Sequence, residues 1–320
     1  MLRTFLISLS KAAWARKLVT GWSFAWKAAS RFVAGEKLED AIQAVKGLNE
    51  KGIAATLDHL GEHTSNQQEA ERAVQDVIEV IDCIENSSVR SNVSIKLTQI
   101  GIAVDKNACI ENLSKILKRA QEKGIFVRLD MEDSPWVDET LALYRLMRFE
   151  RGFENVGMVI QAYLYRSEED IRQLEQSGTR VRLCKGAYKE PAEVAFPKKV
   201  DVDKNYDLLA QMLIDSSLMK GAPPATQDGK MPPIPGIASH DERRIAAAKV
   251  YAQKVGLPKS AIEFQMLYGI RRDLQERLAG EGYPVRVYVP YGAHWYPYFM
   301  RRLAERPANL WFFLSNFFRK

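Results

Sequence analysis

Residues 92–97 read Asn92-Val93-Ser94-Ile95-Lys96-Leu97, residues 107–123 read as a helix, and residues 125–130 read Ile125-Phe126-Val127-Arg128-Leu129-Asp130. A β-branched run, a helix and a second β-branched run describe a strand–helix–strand unit. The same unit recurs along the chain. Strands are predicted at 53–58, 92–97, 125–130, 156–161, 180–184, 236–239, 261–265 and 285–289. Helices are predicted at 67–85, 107–123, 137–151, 168–176, 202–220, 242–255, 273–279 and 294–304. Eight such units at roughly 30-residue spacing predict an α/β chain closed into a parallel (βα)8 barrel. A doubly wound open sheet is the alternative. The segment 221–236 holds Pro223, Pro224, Pro232, Pro233 and Pro235. It cannot be regular structure, and it reads as an exposed insertion before the sixth strand.

Composition narrows the class. The chain has 320 residues, 46% hydrophobic and 27% charged, close to the averages for soluble globular proteins. Disorder, collagen-like repeats and an integral membrane bundle are excluded on that basis. Cys83, Cys109 and Cys184 lie far apart with no CxxC pair, against a disulfide scaffold or a zinc ribbon and in favour of a reducing, cytoplasmic setting. The histidines His59, His63, His240 and His294 make no metal set. Neither GxGxxG nor GxxxxGK[ST] is present, which disfavours dinucleotide and nucleoside-triphosphate sheets. There is no nucleophile-elbow serine.

The net charge of +6 is unevenly placed. Residues 1–35 carry Arg3, Lys11, Arg16, Lys17, Lys27 and Arg31 and no acidic residue, leaving 40 basic against 40 acidic side chains over 36–320. A nucleic-acid partner would want a basic main body, so none is expected. Trp14, Trp22 and Trp26 share the basic segment with apolar positions at helical spacing. The tail 307–320 is aromatic and acid-free. Both ends read either as helices closing the body or as an attachment to an anionic membrane surface, on the inner face of the cytoplasmic membrane. The organisation expected is a basic helical segment 1–35, a barrel 36–306 and a tail 307–320.

Splitting each strand into its two faces gives the candidate site. In the second strand Val93, Ile95 and Leu97 oppose Ser94 and Lys96; in the third Ile125, Val127 and Leu129 oppose Phe126, Arg128 and Asp130. The fourth ends on Gln161, the fifth sets Arg182 against Val181 and Leu183, and the eighth sets Arg286 and Tyr288 against Val285 and Val287. Lys96, Asp130, Gln161, Arg182 and Tyr288 thus gather near strand carboxyl ends, where barrels place their sites. Burying unpaired charge costs several kcal/mol, so these groups must pair with one another or with a ligand. In the last helix Tyr298, Arg301, Arg302 and Glu305 fall in one sector and overlook the same mouth. Two guanidinium forks with Lys96 make a receptor for a small carboxylate. Side chains of this kind supply acid and base steps; redox chemistry there needs a cofactor.

Five ordered motifs carry a family resemblance: Ser94-Ile95-Lys96-Leu97-Thr98-Gln99, Arg128-Leu129-Asp130-Met131-Glu132-Asp133, Arg182-Leu183-Cys184-Lys185-Gly186-Ala187-Tyr188, Phe264-Gln265-Met266-Leu267-Tyr268-Gly269, and Tyr288-Val289-Pro290-Tyr291-Gly292 through Arg301-Arg302. The chain resembles the proline dehydrogenases, most of all the monofunctional bacterial ones, from about residue 31 to 309. The resemblance implies a flavin-bearing barrel that oxidises L-proline to Δ1-pyrroline-5-carboxylate, with hydride passing to N5 of FAD and electrons passing on to a membrane quinone. It implies Asp130 and Arg182 as the active-site pair. Lys96, Arg301 and Arg302 would hold the substrate carboxylate, and Tyr288, Tyr298, Leu183 and Ala187 would wall the ring; Glu305, in the helical sector of Arg301 and Arg302, is also expected to bind the substrate. Glu62 would gate the site by pairing with Arg301. Met131, Gln161, Arg182, Lys185, Gly186, Ala187, Ser239 and His240 would contact FAD, and no metal is implied. Ser239 stands where the family usually has Thr, and Cys184 where an aliphatic residue is common. Two other classes stay open: a Schiff-base lyase using Lys96 or Lys185, and a membrane-associated scaffold without catalysis.

Overall fold

The computed structural model describes residue 12 and residues 23–305. Eight parallel strands follow one another round a closed barrel. They are β1 (Ala54–His59), β2 (Ser91–Ile95), β3 (Val127–Leu129), β4 (Val156–Gln161), β5 (Val181–Cys184), β6 (Pro235–Ala238), β7 (Glu263–Leu267) and β8 (Val285–Tyr291). β1 closes the cylinder by pairing with β2 on one side and with β8, Ala54 opposite Arg286 through His59 opposite Tyr291, on the other. The open-sheet alternative is thereby set aside.

The helices in chain order are α1 (Ser23–Ala29), α2 (Leu38–Asn49), α3 (Gln67–Asn86), α4 (Lys106–Glu122), α5 (Val137–Arg145), α6 (Ser167–Glu175), α7 (Lys199–Met219), α8 (Glu242–Val255), α9 (Arg272–Gly280) and α10 (Trp295–Glu305). Side-chain caps start several of them. The Asn66 side chain accepts from the Glu69 N–H and Asp105 from those of Asn107 and Ala108, satisfying amides that have no partner inside the helix. Asp241 does the same for α8, which ends on Gly256 in the left-handed conformation (φ 79°).

The sequence reading omits α2, and its placement explains where the last helix goes. Leu38, Ala41, Ile42, Val45 and Leu48 recur at helical spacing, and α2 packs by this face against β1 and β8. It occupies the place in the outer ring that an eighth barrel helix would take. α10 instead packs with α1 in a second apolar cluster, where Phe32 and Phe299 approach and the rings of Trp26 and Trp295 lie 5.5 Å apart. The chain between them is fastened to the end of β8: Ala34 N–H donates to Pro290 O and Gly292 N–H to Gly35 O, both at 2.9 Å. Most of the basic segment, with Trp14 and Trp22, and the tail 307–320 lie outside the described residues. Among the described residues no helix is long and apolar enough to cross a membrane.

The proline-rich segment requires a correction: its second half is not exposed. It runs across the amino-terminal end of the barrel, and Gly229 and the stretch 232–236 are buried. Proline has no N–H to give a sheet, but the carbonyls remain as acceptors. Arg286 donates to Gly229 O (2.9 Å), Arg180 to Pro232 O (2.6 Å) and Asn92 to Lys230 O (3.4 Å). Lys230 in turn reaches Lys123 O and Glu85. The segment is a plug stitched to the starts of several strands.

Candidate active site at the barrel mouth

Most barrels of this kind fill their interior with branched apolar side chains. Here the interior is charged. At its base the Arg286 guanidinium donates to Glu263 Oε1 (2.9 Å), which also accepts from Gln265 Nε2 (2.7 Å). Gln265 Oε1 then accepts from Arg182 Nε (2.7 Å), so one amide joins the lower ion pair to the upper one. Gly236 makes room for it, because a Cβ there would stand 2.7 Å from Gln265 Nε2. Arg128 lies alongside, fully buried, donating to the carbonyls of Met158 and Arg180 with its guanidinium over the Phe126 ring. Burial, and then repulsion from Arg182, push its pKa well below the usual arginine range.

The upper network faces the open end. Asp130 Oδ1 accepts from Arg182 Nη1 (2.8 Å) and Ser94 Oγ (2.9 Å), and its Oδ2 accepts from the Tyr288 hydroxyl (2.8 Å). The Arg182 guanidinium lies 5.1 Å from the centre of the Tyr288 ring. Lys96 Nζ donates to both oxygens of Asp58 (3.2 and 3.3 Å) and to Tyr288 (3.3 Å), and stands 3.6 Å from Asp130 and 3.7 Å from Glu62. Burial opposes its charge, but Asp58 foremost, then Tyr288, Glu62 and Asp130 outweigh it and hold its pKa well above the ordinary lysine value.

Above this network α10 lowers Arg301 onto Glu62 in a two-point ion pair, Nη1 to Oε2 at 3.0 Å and Nη2 to Oε1 at 2.7 Å. Burial alone would push the Glu62 carboxyl up; Arg301 and Lys96 overcome it and bring the group down to about 2. Arg302 is buried, with its guanidinium 5.1 Å from the centre of the Tyr298 ring, itself buried. Glu305 closes the helix, and its side chain lies outside what is described.

On the far side of the mouth, Gln161 Nε2 donates to Met131 O (3.0 Å) and Glu132 O (3.3 Å), fixing the amide with its buried Oε1 lacking a hydrogen-bond partner among the described residues. Beyond β5, Gly186 takes φ 110°, a conformation that glycine adopts freely, and Ala187 follows half-buried. Lys185 pairs with Asp203 (2.5 Å) and Asp241 (2.9 Å). After β6, Ser239 Oγ accepts from the Asp241 N–H, and His240 Nε2 accepts from the Leu267 N–H at 3.0 Å. A neutral His240 therefore carries its proton on Nδ1.

The fold thus brings Lys96, Asp130, Arg182 and Tyr288 into one network beneath Arg301 and Glu62, with Gln161 joined to the loop after β3. Leu183 does not join them. It alternates with Arg182, which points inward, and lies fully buried in the apolar core outside the barrel wall. A substrate wall at Leu183 is accordingly withdrawn. Four site residues are additions: Asp58 on β1, Glu263 and Gln265 on β7, and Glu132 beyond β3. The three strand residues obey the two-residue alternation that exposes the others: Thr56 and Asp58 share a face, as do Glu263 and Gln265.

Glu132 accepts from the Thr98 N–H (3.1 Å) and hydroxyl (2.5 Å), yet burial outweighs these bonds and pushes its carboxyl up to about 7. In the folded chain it keeps its proton to about pH 7, whereas the unfolded chain releases it near 4.5. The folded state holds the extra proton over that interval and loses stability as pH rises across it, by on the order of 3 kcal/mol. Urea unfolding at pH 5 and pH 8 is expected to show this loss in the wild type and a much flatter response in Glu132→Gln. Equal pH dependence of the two proteins contradicts the assignment.

A closed (βα)8 barrel whose charged interior opens under an arginine-bearing helix defines a barrel enzyme with a site for a small charged molecule. The family model described as proline dehydrogenase matches residues 41–314, and the chain belongs to that family, oxidoreductases acting on the CH–NH group. It is 45% identical over 294 residues to the proline dehydrogenase of Deinococcus radiodurans, spanning 91% of this chain and 90% of the relative. It is 39% identical over 318 residues to proline dehydrogenase 2 of Bacillus subtilis strain 168, spanning 99% of each. Among solved structures it resembles proline utilization A from Bdellovibrio bacteriovorus inactivated by N-propargylglycine, with a TM-score of 0.78 and 30% identity. That match covers 88% of this chain and 33% of the larger protein.

Proposed function

We propose that the chain oxidises L-proline to Δ1-pyrroline-5-carboxylate at the barrel mouth with FAD as its cofactor, and that electrons leave for a membrane quinone. The observation that carries this reading is the convergence of Lys96 and Arg301 on one carboxylate, that of Glu62, directly above the buried Asp130–Arg182–Tyr288 cluster. Cations aimed at a carboxylate, with Arg302 one residue further along α10, suit the acid group of a small amino acid.

The donor set fits FAD as well. Gln161 Oε1 is a buried acceptor without a donor among the described residues, suited to an N–H of the isoalloxazine ring. Met131, Arg182, Lys185, Gly186, Ala187, Ser239 and His240 would complete its hold, with Lys185 and Arg182 opposing negative charge on the ring. Bound there, FAD supplies the two-electron acceptor for hydride from the substrate's C5. Lys96, Arg301 and Arg302 hold the carboxylate, so the ring carbon is presented in one orientation. Tyr288, fixed by Asp130 and Lys96, and Tyr298 flank the pyrrolidine ring. Glu62 and Arg301, paired across the opening, exclude water from the imine product. The amine proton passes to solvent. The quinone acceptor rests on the family resemblance and on the basic, tryptophan-rich segment 1–35.

Adding L-proline anaerobically to the purified flavin-bearing protein is expected to bleach the oxidised-flavin absorbance. A spectrum unchanged by saturating proline, or a protein that takes up no flavin, overturns the proposal.

A further inference from the structure

Lys96 stands among three carboxylates whose commitments differ. Asp130 already accepts from Ser94, Arg182 and Tyr288, and Glu62 is held at both oxygens by Arg301. Asp58 turns both of its oxygens to Lys96 and is itself 1% exposed on β1. Four residues further along the same segment, Glu62 faces the ammonium from above. We infer that Asp58 is a positioning residue, the fixed counterion that keeps Lys96 charged and aimed at the substrate carboxylate instead of collapsing onto Asp130 or Glu62. The inference deepens the proline-oxidising reading and rests on it.

The physical reason is desolvation. A lysine as deeply buried as Lys96 is driven toward its neutral form unless carboxylates stand close by. The groups that act on it are Asp58 from β1, Glu62 from the loop after it, Asp130 and Glu132 from the β3 end, and Tyr288 from β8, with Arg182 and Arg301 opposing from β5 and α10. Asp58 is the nearest carboxylate. Without it the lysine loses its largest stabilising charge, and its movement toward Glu62 would also compete with Arg301 for the same carboxylate.

In the holoenzyme, Asp58→Asn is expected to raise the KM for proline about tenfold while leaving kcat within about threefold, the signature of lost carboxylate binding. Its kcat/KM should gain a falling alkaline limb below the ordinary lysine pKa of about 10.4, which the wild type lacks, and Asp58→Glu should restore most of the loss. In a Lys96→Gln background, removing Asp58 should add nothing further, because the residue acts through the lysine. The double variant leaves no orphaned charge of this pair, so it also serves if the single variant does not fold. Additive effects on KM, or a pH profile unchanged by Asp58→Asn, overturn the inference. Binding of cyclopentanecarboxylate, followed by tryptophan fluorescence, separates this from the reaction itself. About tenfold weaker binding in Asp58→Asn supports the inference even where proline fails to reduce the flavin. Equal binding by both proteins, or none by the wild type, sinks it.

Discussion

Replacing Arg182 with methionine is expected to lower the stability of the fold by about 3–5 kcal/mol, because it strips a buried carboxylate of its closest cation while leaving the carboxylate in place. Arg182 is 7% exposed and serves three acceptors, Asp130 at 2.8 Å, Gln265 at 2.7 Å and Ser94 Oγ at 3.1 Å. Its loss leaves the Gln265 oxygen without that donor, and so loosens the link down to Glu263 and Arg286. Lys96, 3.6 Å from Asp130, offsets part of the damage. Urea unfolding at neutral pH measures the effect, and the partner substitution Asp130→Leu made together with Arg182→Met should recover much of it, since a buried ion pair is often replaceable by apolar groups as a unit. A loss below about 1 kcal/mol for the single variant would show that water reaches the pair and screens it.

Arg301→Met is expected to raise the proline concentration needed for half-maximal turnover about 100-fold, the equivalent of roughly 3 kcal/mol of charged, two-point hydrogen bonding. Two losses combine in that figure. The substrate carboxylate loses a fork, and Glu62, released from Arg301, is left facing Lys96 from 3.7 Å, the cation that the substrate also needs. Bound flavin per chain, read from its absorbance, should stay near the wild-type level. If flavin content and proline affinity fall together, Arg301 is a structural prop of α10 and not a substrate contact.

The barrel was legible in the sequence because its strands follow the pleat. Lys96, Arg182 and Tyr288 reveal themselves by alternating with residues that face the helical layer, and the structure unites them with Asp130. The same rule, applied to β1 and β7, points to Asp58, Glu263 and Gln265. Three features were not legible for physical reasons. The gap in the outer ring that α2 fills exists because α10 is drawn onto the mouth by contacts with Phe32 and Trp26, which are far away in sequence. The proline-rich segment reads as solvent-exposed because it is held through its own backbone carbonyl oxygens, which accept from Arg286, Arg180 and Asn92 and which no side-chain pattern displays. The family resemblance implies Leu183 as part of the ring wall, yet the pleat of β5 turns it away from Arg182.

The stitched prolines beneath the strands have a bearing on traffic. With Gly229 and its neighbours fastened across the base by Arg286, Arg180 and Asn92, the cylinder is a cup and not a tunnel. On the proposed reading, amino acid and imine enter and leave past one rim, the rim over which α10 lies.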